Sequence, residues 1–320
     1  MKQNKPRVSV VMATYNGEKY IREQIDSILN QSYPIYELII QDDCSTDSTP
    51  KICREYESKF QNVHFFQNTH NQGFNDNFRT VAMRATGDFI ALSDQDDIWF
   101  QKKIEKLIAL IGKYDICTTE VCHGTNLKNS VPSPLSNDPR VSSHGLRCIL
   151  GHSMLIKRGF AQDNSNWKGV FTYDWSLTLH ADWGNGIVKV PEVLSFHRTH
   201  KDSFTIQNIK SKRRSSTLLP YLEGTKYFKE MQQLPKFKSL CEYICTNTAN
   251  ATDANLKLQY EIAKLMTSSS SLGYLRLCWL CMKERKNIYA PASKAKGLIG
   301  IIRGFFFPAI YAYYTSRTFE

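Results

Sequence analysis

Three carboxylates fall within four residues of the chain, directly after a short apolar segment. They are Asp94, Asp96 and Asp97, and they follow the run 88–92, which is typical of a buried β-strand. Like charges this close repel one another and raise one another's pKa unless a cation or hydrogen-bond donors offset them. A divalent metal that carries an anionic ligand is the simplest explanation, because Mg²⁺ and Mn²⁺ prefer oxygen ligands, including substrate phosphates. A solvated acidic turn at a strand end is the alternative.

Strand-like and helix-like segments alternate along the first hundred residues. Short apolar segments rich in β-branched residues occur at 7–12, 37–41, 63–67 and 88–92. Between them, apolar residues recur at three- and four-residue spacing, which predicts helices at about 20–29, 50–60 and 75–85. The pattern is typical of an α/β fold with a mostly parallel, Rossmann-like sheet flanked by helices. Ligands of such sheets bind at the carboxyl ends of the strands, where this chain carries polar residues.

Beyond residue 100 the alternation continues less regularly. It predicts a helix at 104–111, a strand at 115–119, a loop at 129–140, a return to the sheet at 151–156, a helix at 172–180 and strands at 187–190 and 193–196. After Lys210 the spacing becomes helical, and the basic stretch 210–214 opens that region. We therefore predict an α/β domain over residues 1–205 and a helical, basic C-terminal region over 206–320.

The composition argues against two broad classes of protein. Of the 320 residues, 42% are hydrophobic and 22% are charged, and the mean hydropathy is −0.40. These values are not those of a disordered chain or of a polytopic membrane protein. The formal net charge is +11, and basic residues dominate after about Lys189. The excess predicts an anionic partner such as a phospholipid surface or a phosphorylated substrate. No nucleic-acid-binding motif accompanies the charge, so we expect no nucleic acid partner.

The cysteines are nine in number, and we find no signal peptide in the sequence. We therefore expect reduced thiols and a cytoplasmic protein. The pairs Cys241/Cys245 and Cys278/Cys281 have spacings at which thiolates can share a zinc ion. Both pairs lie in apolar, helix-like sequence, where cysteine more often serves as a small buried apolar residue.

The segment 297–314 is apolar and aromatic, with one Arg and a central Pro. A membrane-spanning helix needs about 20 apolar residues, and this segment is shorter and interrupted. Two interpretations stay open for the tail 294–318: it lies in the headgroup region of an anionic membrane, or it packs on the protein. Four basic residues accompany it, namely Lys294, Lys296, Arg303 and Arg317.

Four motifs, in consistent order, resemble the family 2 glycosyltransferases of the GT-A fold. They are Val-Val-Met-Ala-Thr-Tyr-Asn-Gly-Glu at 10–18, Ile-Leu-Asn-Gln-Ser at 28–32, Glu-Leu-Ile-Ile-Gln-Asp-Asp-Cys-Ser-Thr-Asp at 37–47 and Gly-Asp-Phe-Ile-Ala-Leu-Ser-Asp-Gln-Asp-Asp-Ile-Trp at 87–99. The resemblance covers roughly residues 7–205 and is closest to the bacterial branch that builds surface polysaccharides, including rhamnosyl- and galactosyltransferases. It implies a nucleotide half at about 1–100 and an acceptor half at about 101–205.

The resemblance implies a set of nucleotide-binding residues at the ends of the first strands. The set comprises Thr14, Tyr15, Asn16, Glu18, Asp43, Arg79 and Asp94. Tyr15 offers an aromatic face for a nucleobase, and Asp43 matches the family position that accepts the base N3 hydrogen. Arg79 faces the same edge, with Asn75 and Asn77, if its helix begins near Phe74. The alternatives are core packing for Tyr15, helix capping for Asp43 and an ordinary surface role for Arg79.

The resemblance also implies a Mn²⁺ or Mg²⁺ ion that holds the diphosphate of the donor. Asp96 is the first candidate for a direct metal ligand, with Asp97 and His200 as further candidates. Only one or two of Asp94, Asp96 and Asp97 need touch the ion, and the others can bind hydroxyls of the donor sugar. The alternative for His200 is a hydrogen bond to the diphosphate. Residues 197–200 resemble the family's Tyr-Arg-x-His element, with a histidine in place of the aromatic residue. Within it, Arg198 suits a phosphate, because a guanidinium can donate two hydrogen bonds at once.

An inverting transfer needs a base that takes the proton from the acceptor hydroxyl. Asp174, in the sequence Thr-Tyr-Asp-Trp at 172–175, stands where the family places this carboxylate. The usual family dipeptide is Glu-Asp and here it is Tyr-Asp, which leaves Asp174 as the local candidate and Asp182 as the second choice. A helix-capping role without chemistry is the alternative.

We therefore expect an inverting glycosyltransferase that moves a hexose or deoxyhexose from a UDP- or dTDP-sugar to a lipid-diphosphate-linked glycan in O-antigen or capsule synthesis. The basic charge and the apolar tail predict a peripheral location on the inner face of the plasma membrane. Another metal-dependent enzyme of nucleotide or phosphate transfer is one alternative. A basic module that binds nucleic acid or membranes, with an incidental acidic turn, is the other.

Overall fold

The computed structural model of the protein describes residues 5–132, 148–167, 172–200, 218–289 and 296–319. Contacts between Cα atoms divide these residues into two compact units. The first unit comprises the described residues up to Thr199, and the second comprises those from His200 onward. The predicted loop 129–140 lies mostly outside the described residues, and the basic stretch 210–214 lies wholly outside them. The predicted boundary at residue 205 stays a prediction.

A mixed β-sheet forms the centre of the first unit. Its strands are β1 (Val8–Thr14), β2 (Glu37–Asp42), β3 (Val63–Gln67), β4 (Phe89–Ser93), β5 (Ile98–Trp99), β6 (Ile116–Gly124), β7 (Val131–Pro132), β8 (Leu155–Lys157) and β9 (Ile187–Arg198). Their order in the sheet is β3-β2-β1-β4-β8-β6-β9-β5, and β7 pairs with β6. The first four strands are all parallel. Their carboxyl ends therefore meet at one edge. Residues 94–97, which we call the acidic loop, begin at this edge directly after β4.

Helices cover both faces of this sheet. They are α1 (Ile21–Leu29), α2 (Thr49–Lys59), α3 (Phe74–Arg84), α4 (Lys103–Ile111), α5 (Arg158–Ala161) and α6 (Tyr173–Trp183). Alternate residues of β1 belong to different cores, since Val10 and Met12 pack in one cluster and Val11 packs in the other. β2 shows the same alternation. Strands buried on both faces read as continuous apolar runs, which explains their clear sequence signal.

The α/β class and the flanking helices are confirmed, while the sheet is less parallel than predicted. β8 runs antiparallel to both β4 and β6, and β5 runs antiparallel to β9. The segment predicted to resume the sheet at 151–156 instead begins with a 3₁₀ turn at Gly151–Ser153. The physical reason is that long connections join these antiparallel partners, as between β4 and β8, and a long connection can return a strand in either direction. Local sequence patterns therefore do not determine strand direction in this part of the sheet.

The second unit is helical, as the sequence predicts. It contains α7 (Leu219–Met231), α8 (Pro235–Thr248), α9 (Ala254–Met266), α10 (Ser271–Lys283), α11 (Arg285–Ile288), α12 (Gly297–Phe305) and α13 (Phe307–Thr315). The two helices of the apolar tail differ in burial, and contact of the tail with a membrane stays a prediction. α13 packs on α7 with Phe307, Ala309 and Ala312 buried, whereas α12 exposes most of its aliphatic side chains.

Among the described helices, none is by itself long and apolar enough to cross a membrane. Gly297–Phe305 and Phe307–Phe319 are long and apolar enough only when taken together, and the pair is bent by 66°.

All nine cysteines are free thiols. Cys241 and Cys278 are buried in helices, in line with the apolar role considered for them.

The contact between α7 and α13 predicts a specific sensitivity. A Cβ atom built on Gly224 would lie 2.8 Å from the Cβ of Ala309 and still closer to its carbonyl oxygen. We expect Gly224→Ala to lower the free energy of unfolding by about 1–3 kcal/mol, because the backbone must move to relieve the clash. Gly159→Ala is the control, since a Cβ there meets no atom within 4 Å. Urea unfolding of both variants measures the effect, and equal midpoints would contradict this packing.

Candidate active site

The acidic loop is fixed to its neighbours by glutamine side chains. Gln24, fully buried on α1, donates a 2.7 Å hydrogen bond to the hydroxyl of Ser93 at the end of β4. Gln95, inside the acidic loop, exchanges two hydrogen bonds of 2.9 Å with the backbone N–H and carbonyl of Tyr15. A side chain at Gly17 would collide with Gln95, so the glycine allows this close approach. The acids are thereby held beside the turn that follows β1.

Asp97 lies at the centre of the site and is fully buried. Its Oδ1 atom is 3.1 Å from Nδ1 of His197 and accepts a 3.1 Å hydrogen bond from the backbone N–H of Arg198. Its Oδ2 atom is 2.7 Å from Nδ1 of His152. The two imidazole rings stack with their centroids 4.7 Å apart. One carboxylate thus joins the acidic loop, the Gly151–Ser153 turn and the end of β9.

Burial and neighbouring charges shift the pKa values of Asp97 and His197 in opposite directions. Burial alone would raise the pKa of Asp97, but the imidazoles of His152 and His197 lower it, so the carboxyl stays ionised. Burial lowers the pKa of His197, yet the hydrogen bond and charge of Asp97 outweigh it and raise the pKa to about 9. Burial, together with the charges of Asp97 and Asp96, raises the pKa of Asp94 well above its usual value. Asp94 therefore tends to keep its proton when no cation is bound, because the surrounding protein does not offset the negative charge of its ionised form.

Four side chains of this cluster are arranged as a metal centre would require. Each of Asp94, Asp97, His152 and His197 offers a ligand atom, and these atoms all lie within 4.8 Å of one another. Carboxylates suit Mn²⁺ and Mg²⁺, and imidazole suits the first-row transition metals. Both ring nitrogens of His152 and Oδ2 of Asp97 are buried and have no hydrogen bond of good geometry among the described residues, although Nδ1 and Oδ2 lie 2.7 Å apart. The residues present therefore fit a divalent cation.

Two predicted metal ligands stand outside this group of four. Asp96 is half-buried, and its backbone carbonyl accepts a 2.9 Å hydrogen bond from Nε of Arg198. His200 is the first residue of the second unit. Their metal-binding roles stay predictions, and the structure adds His152 and His197 as ligand candidates.

His152 is a site residue that the sequence pattern did not reveal. Residues 151–156 read as a strand, in which a histidine is an ordinary side chain. The available signal was Gly151 and Ser153 on either side of it, since these residue types favour a turn. A second hidden residue is Lys103, which is fully buried and donates a 2.6 Å hydrogen bond to the carbonyl of His152. Burial lowers the pKa of Lys103 to about 7.

Asp43 is enclosed by hydrogen-bond donors at the start of α3. It accepts bonds of 2.8 Å from the backbone N–H groups of Gln72 and Gly73 and one of 2.7 Å from the side chain of Asn68. A carboxylate has about four acceptor positions, so these bonds leave one open. Asp43 thus binds the N–H groups of the two residues that precede α3, whereas the capping alternative concerned the helix that follows Asp43 in the chain. Its contact with a nucleobase stays a prediction.

The turn after β1 combines an exposed aromatic ring with side chains that tie loops together. The side chain of Asn16 accepts a 2.8 Å hydrogen bond from the N–H of Thr46, and the side chain of Glu18 accepts one of 2.9 Å from the N–H of Ser48. Thr14 donates a 3.0 Å hydrogen bond to Asp42. Tyr15 is 49% exposed, which leaves its ring face open to a ligand. The ring of Tyr15 is thus exposed, while its neighbours hold the turn in place. Nucleotide binding by Thr14, Tyr15, Asn16 and Glu18 stays a prediction.

The two predicted arginines differ in their surroundings. Arg79 lies on α3, which begins at Phe74 as expected, and its half-exposed side chain pairs with Asp76 at 3.1 Å. Arg198 is held more firmly, because its side chain donates a 2.5 Å hydrogen bond to Glu23 of α1 and stacks over Tyr20. In this arrangement Arg198 fastens the end of β9 to α1 and to the acidic loop. Diphosphate binding by Arg198 and nucleotide binding by Arg79 stay predictions.

Asp174 lies in the first turn of α6. Its Oδ1 atom accepts hydrogen bonds from the hydroxyl of Thr172 and from the N–H of Trp175. Burial raises the pKa of Asp174, which makes the carboxylate a stronger base once it has lost its proton. The preceding Tyr173 stacks on Phe78 of α3 with ring centroids 4.3 Å apart. This packing fixes the position of the carboxylate relative to the sheet.

Known proteins resemble this chain in sequence and in fold. Residues 9–161 match the family model described as glycosyl transferase family 2. They form a family 2 glycosyltransferase domain. The putative glycosyltransferase EpsE of Bacillus subtilis is 36% identical over 140 residues, which cover 40% of this chain and 50% of that protein. The chain thus spans about half the length of that relative. The dTDP-rhamnosyl transferase RfbG of Shigella flexneri is 26% identical over 289 residues, which cover 83% of this chain and 98% of RfbG.

Two solved structures share the fold of this chain. TarS 1-349 of S. aureus, in complex with UDP-GlcNAc, has a TM-score of 0.59 at 18% identity and covers 98% of this chain and 90% of its own. The mannosyltransferase PcManGT from Pyrobaculum calidifontis, in complex with GDP-Man and Mn²⁺, has a TM-score of 0.57 at 15% identity. It covers 98% of this chain and 86% of its own. At these identities the likeness establishes the fold.

The raised pKa of His197 predicts a pH-dependent contribution to stability. Folded His197 keeps its proton up to about pH 9, whereas unfolded histidine loses it near pH 6.5. The stabilisation is therefore complete below pH 6.5 and disappears as the pH rises through about 9. We expect metal-free His197→Gln to be less stable than the natural protein at pH 6 by on the order of 2 kcal/mol, with a smaller deficit at pH 9.5.

Urea unfolding in the presence of a chelator measures this difference. His180→Gln is the control, because burial lowers the pKa of His180 instead of raising it. Its stability relative to the natural protein should not recover between pH 7 and 9.5. A deficit of His197→Gln that stays constant with pH would show that the ion pair with Asp97 does not form.

Proposed function

We propose that this protein is an inverting glycosyltransferase of surface-polysaccharide synthesis. It transfers a sugar from a nucleotide-sugar donor to a glycan acceptor. The family 2 domain and the similarity to EpsE and RfbG support the general activity. UDP-GlcNAc and GDP-Man in structures of the same fold support a nucleotide sugar as the donor.

The observation that carries this proposal is the proximity of two acids with different tasks. The hydroxyl of Tyr173, the residue before Asp174, lies against Gly151, the residue before His152. The charge of Asp174 also contributes to the raised pKa of Asp94. A carboxylate that can accept a proton therefore stands beside a cluster that can hold a cation. Group transfer from a nucleoside diphosphate needs this combination, with one group for the attacking hydroxyl and a positive charge for the departing phosphate.

The residues have distinct tasks in the proposed reaction. Tyr15 stacks on the base of the donor, and Asp43 accepts a hydrogen bond from the base. Asp94 and Asp97, with His152 and His197, hold Mn²⁺ or Mg²⁺, which supplies a positive charge for the diphosphate when it is bound.

Asp174 removes the proton from the acceptor hydroxyl as its oxygen bonds to the anomeric carbon. The bond from that carbon to the diphosphate oxygen breaks at the same time, and the electron pair leaves with the nucleoside diphosphate. One displacement at this carbon inverts its configuration, so the product carries the opposite anomeric stereochemistry to the donor. The proton ends on the Asp174 carboxylate and passes from there to solvent.

The finer assignment concerns the donor, the acceptor and the location. We propose a UDP- or dTDP-linked hexose or deoxyhexose as the donor, which the likeness to the dTDP-rhamnosyl transferase RfbG supports. We propose a lipid-diphosphate-linked glycan of O-antigen or capsule synthesis as the acceptor. Such an acceptor is anchored at the cytoplasmic face of the plasma membrane, and the net charge of +11 favours an anionic surface of that kind.

Replacing the proposed base separates binding from chemistry. We expect Asp174→Asn to lower kcat by about 10²–10⁴-fold, because the amide cannot accept the hydroxyl proton, while the Kd for the nucleoside diphosphate stays nearly unchanged. Asp182→Asn is the control, since this acid is the second candidate on the same helix. Transfer assays with a panel of nucleotide sugars measure the effect. Normal turnover by Asp174→Asn, or loss of activity only in Asp182→Asn, would assign the base elsewhere.

The metal cluster predicts that donor binding depends on a divalent cation. We expect calorimetry to show that UDP or dTDP binds tightly with Mn²⁺ and at least about tenfold more weakly with a chelator present, because the acids otherwise repel the diphosphate. His152→Ala should reduce the difference between the two conditions. His180→Gln, on α6 and outside the cluster, should preserve it. Metal-independent binding would favour a basic module without this chemistry.

A further inference from the structure

The second unit displays an apolar surface on two neighbouring helices. On α12, Leu298, Ile299 and Ile302 are 72%, 67% and 43% exposed, and on α10, Leu275 and Trp279 are 53% and 56% exposed. We call these five side chains the apolar face. α10 and α12 pack against each other, so both stripes belong to one packed pair of helices. Exposed apolar side chains grouped in this way mark an interaction surface more often than isolated ones do.

Glycines determine which side of α12 points outward. Gly300 and Gly304 are buried, and a Cβ on Gly304 would lie 2.9 Å from Cα of Met282 and 3.2 Å from the carbonyl oxygen of Cys281. These glycines therefore form the side that packs closely on α10. The aliphatic residues on the other side of the helix have no such contact. The exposure of the apolar face follows from this packing of α12 on α10.

The sequence segment that carries the apolar face is strongly basic. Residues 271–320 contain eight basic and two acidic side chains, a difference of six positive charges. The basic residues are Arg276, Lys283, Arg285, Lys286, Lys294, Lys296, Arg303 and Arg317, and the acidic ones are Glu284 and Glu320. The Lys283 ammonium lies 5.7 Å from the ring centroid of Trp279. Tryptophan beside lysine is a combination that favours the boundary between lipid chains and headgroups.

We propose that the apolar face inserts into the headgroup region of an anionic phospholipid bilayer. The aliphatic side chains and Trp279 enter the boundary of the acyl chains, and the basic residues contact lipid phosphates. A second copy of the chain fits this surface less well, because a symmetric contact would bring like basic segments together. The inference rests on the proposed function, in which the acceptor is anchored in such a membrane.

Co-sedimentation with lipid vesicles tests the proposal. The full chain should bind vesicles that contain phosphatidylglycerol and bind vesicles of phosphatidylcholine alone much more weakly, since each basic residue near an anionic surface contributes to binding. The double variant Leu298→Ser/Ile299→Ser should bind the anionic vesicles at least about tenfold more weakly, because two aliphatic side chains no longer leave water.

Leu218→Ser/Leu222→Ser is the matched control. It removes two leucines of the same unit that are 69% and 76% exposed and that lie outside the apolar face. It should bind vesicles as the natural protein does. Circular dichroism checks that both double variants are folded. Equal vesicle binding by both double variants, or equal binding to the two kinds of vesicle, would overturn the proposal.

Two further measurements separate this proposal from the proposed function. Transfer to a short-chain, water-soluble acceptor should be the same for Leu298→Ser/Ile299→Ser and the natural protein, whereas transfer to a lipid acceptor in vesicles should fall. Absence of transfer by the natural protein would contradict the proposed function and leave the vesicle result to stand alone. Sedimentation velocity tests the remaining possibility, which is that a second copy of the chain covers the apolar face. A natural protein that is dimeric, together with a monomeric Leu298→Ser/Ile299→Ser, would reassign the face to a contact between copies.

Discussion

The buried carboxylate of Asp97 connects three parts of the first unit that are far apart in the chain. It lies in the acidic loop after β4, and its partners are His152 in the turn before β8, and His197 and the backbone N–H of Arg198 at the end of β9. An ionised carboxylate is costly to remove from water, and the contacts with these three parts offset that cost, so the conformation of the acidic loop depends on them. The position of Asp94 next to it, and with it the geometry of the whole site, depends on this arrangement.

The same region carries charge that the protein leaves only partly balanced. Burial and the neighbouring Asp97 raise the pKa of Asp94, and burial lowers the pKa of Lys103 to about 7, so the buried lysine is a poor source of compensating charge. A bound divalent cation would stabilise the ionised form of Asp94 and relieve this repulsion. The acids thus have a physical reason to bind metal, and the cation in turn offers a positive charge to a diphosphate.

The sequence predicts an element correctly where neighbouring residues alone determine its structure. The strands of the parallel region, α3 and the helix that carries Asp174 all follow from the spacing of apolar residues. It failed where the outcome depends on distant contacts. Nothing in residues 151–156 states that His152 will face Asp97, and nothing near Arg198 states that Glu23 will bind it. The structure of the apolar tail could be predicted only in part. Its composition is uniform along the sequence, but the buried glycines of α12 and the buried side chains of α13 give its two helices different environments.

The central claim is that Asp94, Asp97, His152 and His197 form the metal end of a nucleotide-sugar site. The most direct test is a crystal structure with Mn²⁺ and UDP, with anomalous diffraction recorded at the manganese absorption edge. The claim predicts an anomalous peak within coordinating distance of Asp94 and of at least one other member of the group, with the diphosphate bound to the ion and the base beside Tyr15. A peak held by Asp96 without Asp94, or UDP bound with no manganese in the cluster, would contradict it.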